Sequence, residues 1–308
     1  REILTAKFSG GEEILKEMYS LEDQGKRKLA LRYDLTVPFA RVFALHNLPL
    51  PFKRYCIDKV WRDGPIKTGR YREFYQCDCD VAGAANESFT AELFAMAQNA
   101  FQELQLNVKI KVNNLKILKG LLDFCGIEGT ELHAAFMLSL DKLAKIGVEN
   151  AKSELKEKNF AEHKIEKMLK LLPMNKQNED AIEALQKIGN ATLQQGLSEL
   201  KQLLEFCGKF KVENIVFSPE LSRGLSYYTG NVFEGYIQNS SITSSCCAGG
   251  RYDDMIGMFK GSQPVPTVGI SFGLDVLYEE LHLTSKNQRR TTVKAIIVPK
   301  ALHGVSTM

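Results

Sequence analysis

The chain has 308 residues, with 40 Lys and Arg against 37 Asp and Glu and a formal net charge of +3. Hydrophobic residues make up 44% and charged residues 25%, an ordinary globular composition that excludes a disordered chain, and the charge balance excludes a general nucleic-acid coat. No apolar run reaches the ~18 residues of a membrane span and no signal-peptide core opens the chain, so a cytoplasmic protein is expected.

At this length two domains are expected, or one large domain with an insertion. The chain begins at Arg1 and ends shortly after a strand-like run at 293–298, and it reads as a fragment of a longer protein. Seven scattered cysteines without C-x-x-C spacing fit a reducing compartment. Cys77 and Cys79 lack the four convergent ligands that zinc requires, so no protein-only zinc site is expected.

The first zone, 1–112, alternates short strands with one strong helix. Strands are predicted at 28–31, 55–61 and 70–81. Along 70–81 the side chains alternate between faces. One face carries Arg70, Arg72, Phe74, Gln76, Asp78 and Asp80; the other carries Tyr71, Glu73, Tyr75, Cys77, Cys79 and Val81. Two guanidiniums and two carboxylates in a dry core would cost several kcal/mol per ion, of order, so the first face should line a cleft. Phe89, Leu93, Phe94, Ala97, Phe101 and Leu104 then recur at helical spacing behind Ser88 as a cap. Val108, Ile110 and Val112 alternate with lysines as a half-buried strand.

The second zone, 113–211, reads as wholly helical. One leucine stripe (Leu115, Leu118, Leu122) ends at Gly126, and another (Leu193, Leu197, Leu200, Leu204) opens at Asn190 and closes at Gly208. Between them a Lys/Glu-rich run is a solvated helical face, the alternative being a surface that follows an RNA backbone. The third zone, 212–291, returns to short strands and glycine-rich turns. Residues 292–308 read as the start of a further, truncated domain. Strands split by a helical insert predict one mixed sheet interrupted by a subdomain.

Arg62 ends a strand and Gly64-Pro65 turns the chain, so Arg62, Arg70 and Arg72 should converge from an antiparallel hairpin. Convergent arginines, a ring at Phe74 and two carboxylates suit an adenine nucleotide with an amine-bearing co-substrate, because guanidinium pairs phosphate bidentately. A structural ion-pair network is the competing reading. Two readings also fit Asp34, a turn residue before Pro38 or a ligand. Tyr227 and Tyr228 taken alone read first as core filling, with one hydroxyl finding a partner, and otherwise as pocket walls.

A series of ordered blocks then resembles one family over about residues 3–285. Val60-Trp-Arg-Asp-Gly-Pro65 with Gly69-Arg-Tyr-Arg-Glu-Phe-Tyr-Gln76 is similar to motif 2 of class II aminoacyl-tRNA synthetases in the histidyl version, with a flavour closer to archaeal and eukaryotic members. Leu31-Arg-Tyr-Asp-Leu-Thr-Val-Pro-Phe-Ala-Arg41 resembles the segment these enzymes place after motif 1. Leu221-Ser-Arg-Gly-Leu-Ser-Tyr-Tyr-Thr-Gly230 and Ala248-Gly-Gly-Arg-Tyr-Asp-Asp254 resemble the two signatures of histidyl-tRNA synthetases. Pro266-Thr-Val-Gly-Ile-Ser-Phe-Gly-Leu274 resembles motif 3.

The resemblance implies an α+β fold: an antiparallel sheet flanked by helices, with a helical insertion and a C-terminal anticodon-binding domain. It implies a homodimer acting on histidine, ATP with Mg2+ and tRNA-His. By the same resemblance Asp34, Thr36 and Gln76 would hold the histidine amino group, Asp80 and Tyr228 the imidazole, and Tyr227 would line the pocket. Arg62 would bind the α-phosphate, Arg70 the outer phosphates and Phe74 the adenine, while Arg223 would face the reacting carboxylate. The alternative function is a non-catalytic module that senses histidine or uncharged tRNA.

Departures accompany the resemblance. Most of motif 1 is missing. Ser226 stands where the family usually has Asp, and Gly64 where many members have Glu. Val276 occupies the position of the motif 3 arginine. The expected consequence is weaker ATP binding, with Arg70, magnesium and either Arg251 or Lys67 holding the outer phosphates.

Overall fold

The computed structural model describes residues 4, 16–46, 48–173, 178–222, 227–261 and 263–284. A small antiparallel ribbon, β1 (Ser20–Glu22) and β2 (Lys28–Ala30), leads into helix α1 (Thr36–Leu45). Alternating residues then build the long hairpin β3 (Phe52–Trp61) and β4 (Glu73–Ala82), registered so that Arg54 lies opposite Asp80 and Trp61 opposite Glu73. The predicted strand over 70–81 begins three residues late: Arg70 pairs with Lys67 in an isolated bridge, and Arg72 turns out to Asp63 at 3.2 Å. Consecutive charges across a tight turn favour solvent over the sheet, so Arg72 leaves the face it was expected to share.

Helix α2 (Ser88–Glu103) and strand β5 (Val108–Asn114) follow. Ser88 is not the cap. The cap position is Glu87, whose carboxylate accepts the Thr90 hydroxyl at 2.8 Å, while Ser88 bonds to Asn86. Then come α3 (Leu115–Phe124), α4 (Thr130–Asp141), α5 (Leu143–Ile146), α6 (Val148–Glu157), α7 (Glu162–Leu171), α8 (Asn178–Gln186) and α9 (Ala191–Lys209). Asn190 caps α9 through the Leu193 N–H at 3.0 Å, as its residue type favours. Gly126 takes φ 73 just beyond α3, but α9 runs past Gly208, and Lys211 supplies the left-handed residue at φ 56.

The Lys/Glu-rich run pairs with itself. Lys156 meets Glu162 at 2.5 Å and Lys152 meets Glu149 at 3.0 Å. Lys158 and Lys142 both reach Glu154, and hydrogen bonding from Lys158 holds its carboxyl down at about 2. These pairs fit the solvated-face reading.

Strand β6 (Ile215–Phe217), β7 (Asn231–Ile237), β8 (Cys247–Arg251), helix α10 (Asp253–Lys260), β9 (Thr267–Gly273) and α11 (Leu274–Thr284) complete the described elements. Seven strands form one sheet in the order β3-β4-β9-β8-β7-β5-β6, antiparallel throughout except β5 with β6. This is the α+β class expected, since residues before and after the helical stretch share one sheet. One face packs under α2, where Phe94 meets Phe233 edge-on at 4.6 Å and Phe101 meets Phe272 at 5.7 Å. Cys79 and Val81 join that core, and all seven cysteines are free thiols.

The opposite face is thin at its centre because glycines occupy β8 and β9. A Cβ on Gly269 would sit 2.1 Å from the Asp80 carboxylate. A Cβ on Gly250 would meet the Tyr228 ring at 2.8 Å. Rings and carboxylates therefore settle directly onto the backbone of this face.

Candidate active site

A cavity of about 310 Å³ opens on this thin face, walled by the start of α1, the β3–β4 connection, β4, β7, β8 and β9. Its wall includes Asp34, Thr36, Arg62, Arg70, Phe74, Gln76, Tyr227 and Tyr228, eight of the residues singled out from the sequence. Asp80 is not on the wall, and Arg223 and Ser226 lie outside the described residues.

At the inner end the polar atoms are acceptors. One Asp34 oxygen accepts the Val37 N–H at 3.2 Å and secures the first turn of α1, as a turn residue would, while the other is buried and unpaired. Gln76 donates to the Ser271 hydroxyl at 2.9 Å, and that serine bonds the Asp78 carboxylate. The Gln76 carbonyl oxygen and one Asp78 oxygen are left buried without partners. Three unsatisfied acceptors on one wall are costly unless a ligand brings donors. Burial lifts the Asp34 carboxyl to about 6. Burial, with neighbouring Asp80 adding to it, lifts Asp78 to about 7.

Asp80 lies behind this wall, 3% exposed. Arg54 pairs with it at 2.8 Å, and the Tyr252 hydroxyl donates to its other oxygen. Asp80 therefore differs from the expectation in its place: it lies off the cavity wall, one oxygen accepting from Tyr252 and the other ion-paired with Arg54 through the β3–β4 register. Asp78 is the acid of β4 that reaches the cavity. Strand parity already put it beside Gln76; choosing between the two acids needed the hairpin register. Tyr227 and Tyr228 pack with ring centroids 4.7 Å apart, and Tyr227 also meets Tyr252 edge-on at 6.1 Å.

The outer end is cationic. Arg62 is fixed by donating from Nε to the Tyr33 carbonyl at 2.9 Å, with its guanidinium 5.3 Å from the Phe74 ring centre. Arg70 and Lys67 stand beside it on the wall, and Arg70 pairs with Glu17 at 3.0 Å. Val276 packs against Gly69 and Gly273 at the base of this group. Arg251 is not available here. It is buried, donates to the Ala84 carbonyl at 2.7 Å and pairs with Asp253 at 3.3 Å, which leaves Lys67 as the basic residue beside Val276. The sequence reading passed over Glu234, Tyr236, Ser271 and Asp275, which also line the cavity. Only strand pairing brings Glu234 and Ser271 onto the cavity face with Asp78, Ser271 lying opposite Asp78 and Ala248 opposite both Ser271 and Glu234, although alternation along 231–237 marks Glu234 and Tyr236 as one face.

Among the described residues no group of three His, Cys, Asp or Glu side chains is placed to hold a metal, and no helix is long and apolar enough to cross a membrane.

The family model for histidyl-tRNA synthetase matches residues 2–277. Histidine--tRNA ligase 1 of Bacillus cereus is 45% identical over 301 residues, covering 97% of this chain and 70% of the relative. The same-named protein of Bacillus anthracis is 46% identical over the same coverage. Both are bacterial, unlike the archaeal and eukaryotic members expected from the flavour of motif 2. Among solved structures, a histidyl-tRNA synthetase from Nostoc superposes with a TM-score of 0.75 at 28% identity, covering 92% of this chain and 65% of that one. An ATP phosphoribosyltransferase regulatory subunit/histidyl-tRNA synthetase from Bacillus halodurans gives 0.72 at 26% identity, covering 86% and 68%. Fold, motifs and relatives agree, and the chain belongs to the histidyl-tRNA synthetase family.

Proposed function

We propose that this protein activates L-histidine with ATP and passes the histidyl group to the 3′ end of tRNA-His. The observation that carries this reading is the division of one cavity into an acceptor-lined inner end and a cationic outer end. An α-ammonium and an imidazole N–H bring the donors that the unpaired oxygens of Asp34, Gln76 and Asp78 lack. Thr36 and the Tyr227–Tyr228 pair complete that pocket, which distinguishes a polar ring from an apolar one of similar size.

In the reaction a carboxylate oxygen of histidine attacks the α-phosphorus of ATP. The bond to the β-phosphate oxygen breaks, and pyrophosphate departs with that electron pair. No side-chain nucleophile takes part. Arg62 meets the charge that grows at the α-phosphate, Arg70 and Lys67 hold the outer phosphates, and Phe74 offers a face to adenine. The signature containing Arg223 supports a similar role for that residue at the reacting carboxylate. Mg2+ is bound in such sites by one or two carboxylates together with substrate phosphates. Asp275, a wall carboxylate near Val276 with one oxygen already accepting the Tyr75 N–H at 2.7 Å, fits that donor set. When bound there, the ion would neutralise phosphate charge.

A homodimer in the cytoplasm belongs to this reading. The outer face of β3, with Tyr55 at 76% and Ile57 at 55% exposure, offers an apolar surface to a second copy, and sedimentation tests it. The test of function is histidine-dependent ATP–pyrophosphate exchange, followed by charging of tRNA-His. Exchange with histidine alone among the amino acids supports the reading. Histidine binding without exchange would support the sensor alternative instead.

A further inference from the structure

We infer that Arg54 is a positioning residue for histidine: it tethers the two separate chain segments that form the inner end of the cavity. The inference rests on the function proposed above. Asp34 and Thr36 come from the start of α1, whereas Gln76 and Asp78 come from β4, and these segments are more than thirty residues apart. Arg54, on β3 and outside the cavity wall, reaches both. One guanidinium nitrogen is 2.8 Å from the Asp80 carboxylate on β4 and donates to the Leu35 carbonyl at 3.0 Å. Leu35 lies between Asp34 and Thr36. The guanidinium also lies 4.2 Å from the ring centre of Phe39 on α1, so it is held by stacking as well as by charge.

The electrostatics point the same way. Asp34, Asp78 and Asp80 are 3%, 2% and 3% exposed, and three carboxylates so deeply buried repel one another. Arg54 lowers the proton affinity of all three. Without Arg54 the α1 segment would lose its link to β4, and the carboxylates facing the ligand would lose their shared counter-charge. The consequence falls on histidine and not on ATP, because no outer-end cation touches Arg54.

Loss of Arg54 alone also leaves Asp80 as an unpaired buried charge, which destabilises any fold. A second variant separates the two effects. Arg54→Met, Arg54→Lys and Arg54→Met/Asp80→Asn are compared with wild type in the full chain. The measurements are ATP–pyrophosphate exchange, calorimetric histidine binding and thermal midpoint. The amide that Asp80→Asn introduces would still accept from the Tyr252 hydroxyl while carrying no charge.

Arg54→Met should raise the histidine KM and Kd at least about tenfold, equivalent to at least about 1.4 kcal/mol, with the ATP KM within about twofold and kcat reduced less than threefold, about the level of a lost side-chain contact. The double variant should regain the thermal midpoint but keep the weak histidine binding. Arg54→Lys should recover part of it by keeping the charge. A double variant with wild-type stability and wild-type histidine affinity would overturn the inference, as would a folded Arg54→Met with unchanged affinity. If Arg54→Met does not fold, the double variant decides by the same criterion. A wild type that binds histidine without exchange would count against the activation reading alone, since Kd still reports the tether. A wild type that does neither would overturn both.

Discussion

The two ends of the cavity solve opposite problems. The inner end is dry and acidic, and its frame comes from the fold itself: an α1 turn, a serine on β9, and a half-buried arginine behind the wall. The outer end is wetter and basic, and its cations have separate supports, Arg70 on the Glu17 carboxylate and Arg62 on the Tyr33 carbonyl. Discrimination belongs where groups are desolvated, because an unmatched ligand there leaves polar atoms stranded. Phosphate affinity belongs where one cation can substitute for another. That contrast explains how Val276 can stand where the family carries arginine.

The sharpest way to break the comparison is at the inner end. Asp78→Ala should lower kcat/KM for histidine by roughly 10³–10⁴ with the ATP KM nearly unchanged, somewhat below the upper range for a site built on hydrogen bonds. Asp80→Asn should cost at least about tenfold less, because its partner is the protein and not the substrate. Equal losses in the two variants, read by steady-state exchange, would show that Asp80 does reach the ligand.

Next in size is Arg62→Ala, which removes one preorganised donor at developing charge and should cut kcat by roughly 10²–10³ with modest changes in both KM values. The resemblance predicts a loss of the same order for Arg223→Ala. A variant that keeps kcat but binds ATP poorly would assign Arg62 to ground-state binding.

At the outer end the effects should be smaller. Lys67→Ala should raise the ATP KM about tenfold, near the lower end for a charge-assisted contact because the residue is exposed. Val276→Arg should bring no gain, since Lys67 already supplies the charge and Val276 lies close against the turn at Gly69. A lower ATP KM in Val276→Arg would show that Lys67 does not fill the phosphate position.

The smallest expected effect has a distinctive sign. Asp34 and Asp78 are lifted to about 6 and about 7 by burial, above their ordinary range, so the native state binds more protons than the unfolded chain between about pH 4 and 7. The ligand-free protein should therefore gain stability, on the order of 1 kcal/mol, as pH falls from 8 to 6. Histidine binding needs both carboxylates charged and should weaken several-fold over the same interval. Thermal midpoints and histidine Kd across that range should move in opposite directions; a parallel loss of both would remove these carboxylates from the ammonium site.

Much of this was legible because the signals are local. Alternation along β4 placed Phe74, Gln76 and Asp78 together, and Asn190 marked the start of α9. Arg70 and Arg72 were misassigned to the strand because alternation cannot see where a turn ends. Ser88 looked like a cap by residue type, yet Glu87 holds that position. Arg54 was invisible for a different reason. Its partner lies 26 positions away across a hairpin, and only the register Arg54↔Asp80 shows that an acid on the charged face is already occupied.

The glycines at the centre of the sheet have a consequence for how sequence change is tolerated. Gly250 and Gly269 pair across β8 and β9, and what they make room for is Tyr228 and Asp80 on two other segments. The forbidden volume therefore runs crosswise to the strands, as a band of missing carbon atoms. In a saturation scan it would emerge as isolated intolerant positions scattered through the sequence. They would become one feature only when laid on the sheet, where the depth of the floor is set by what those residues do not have.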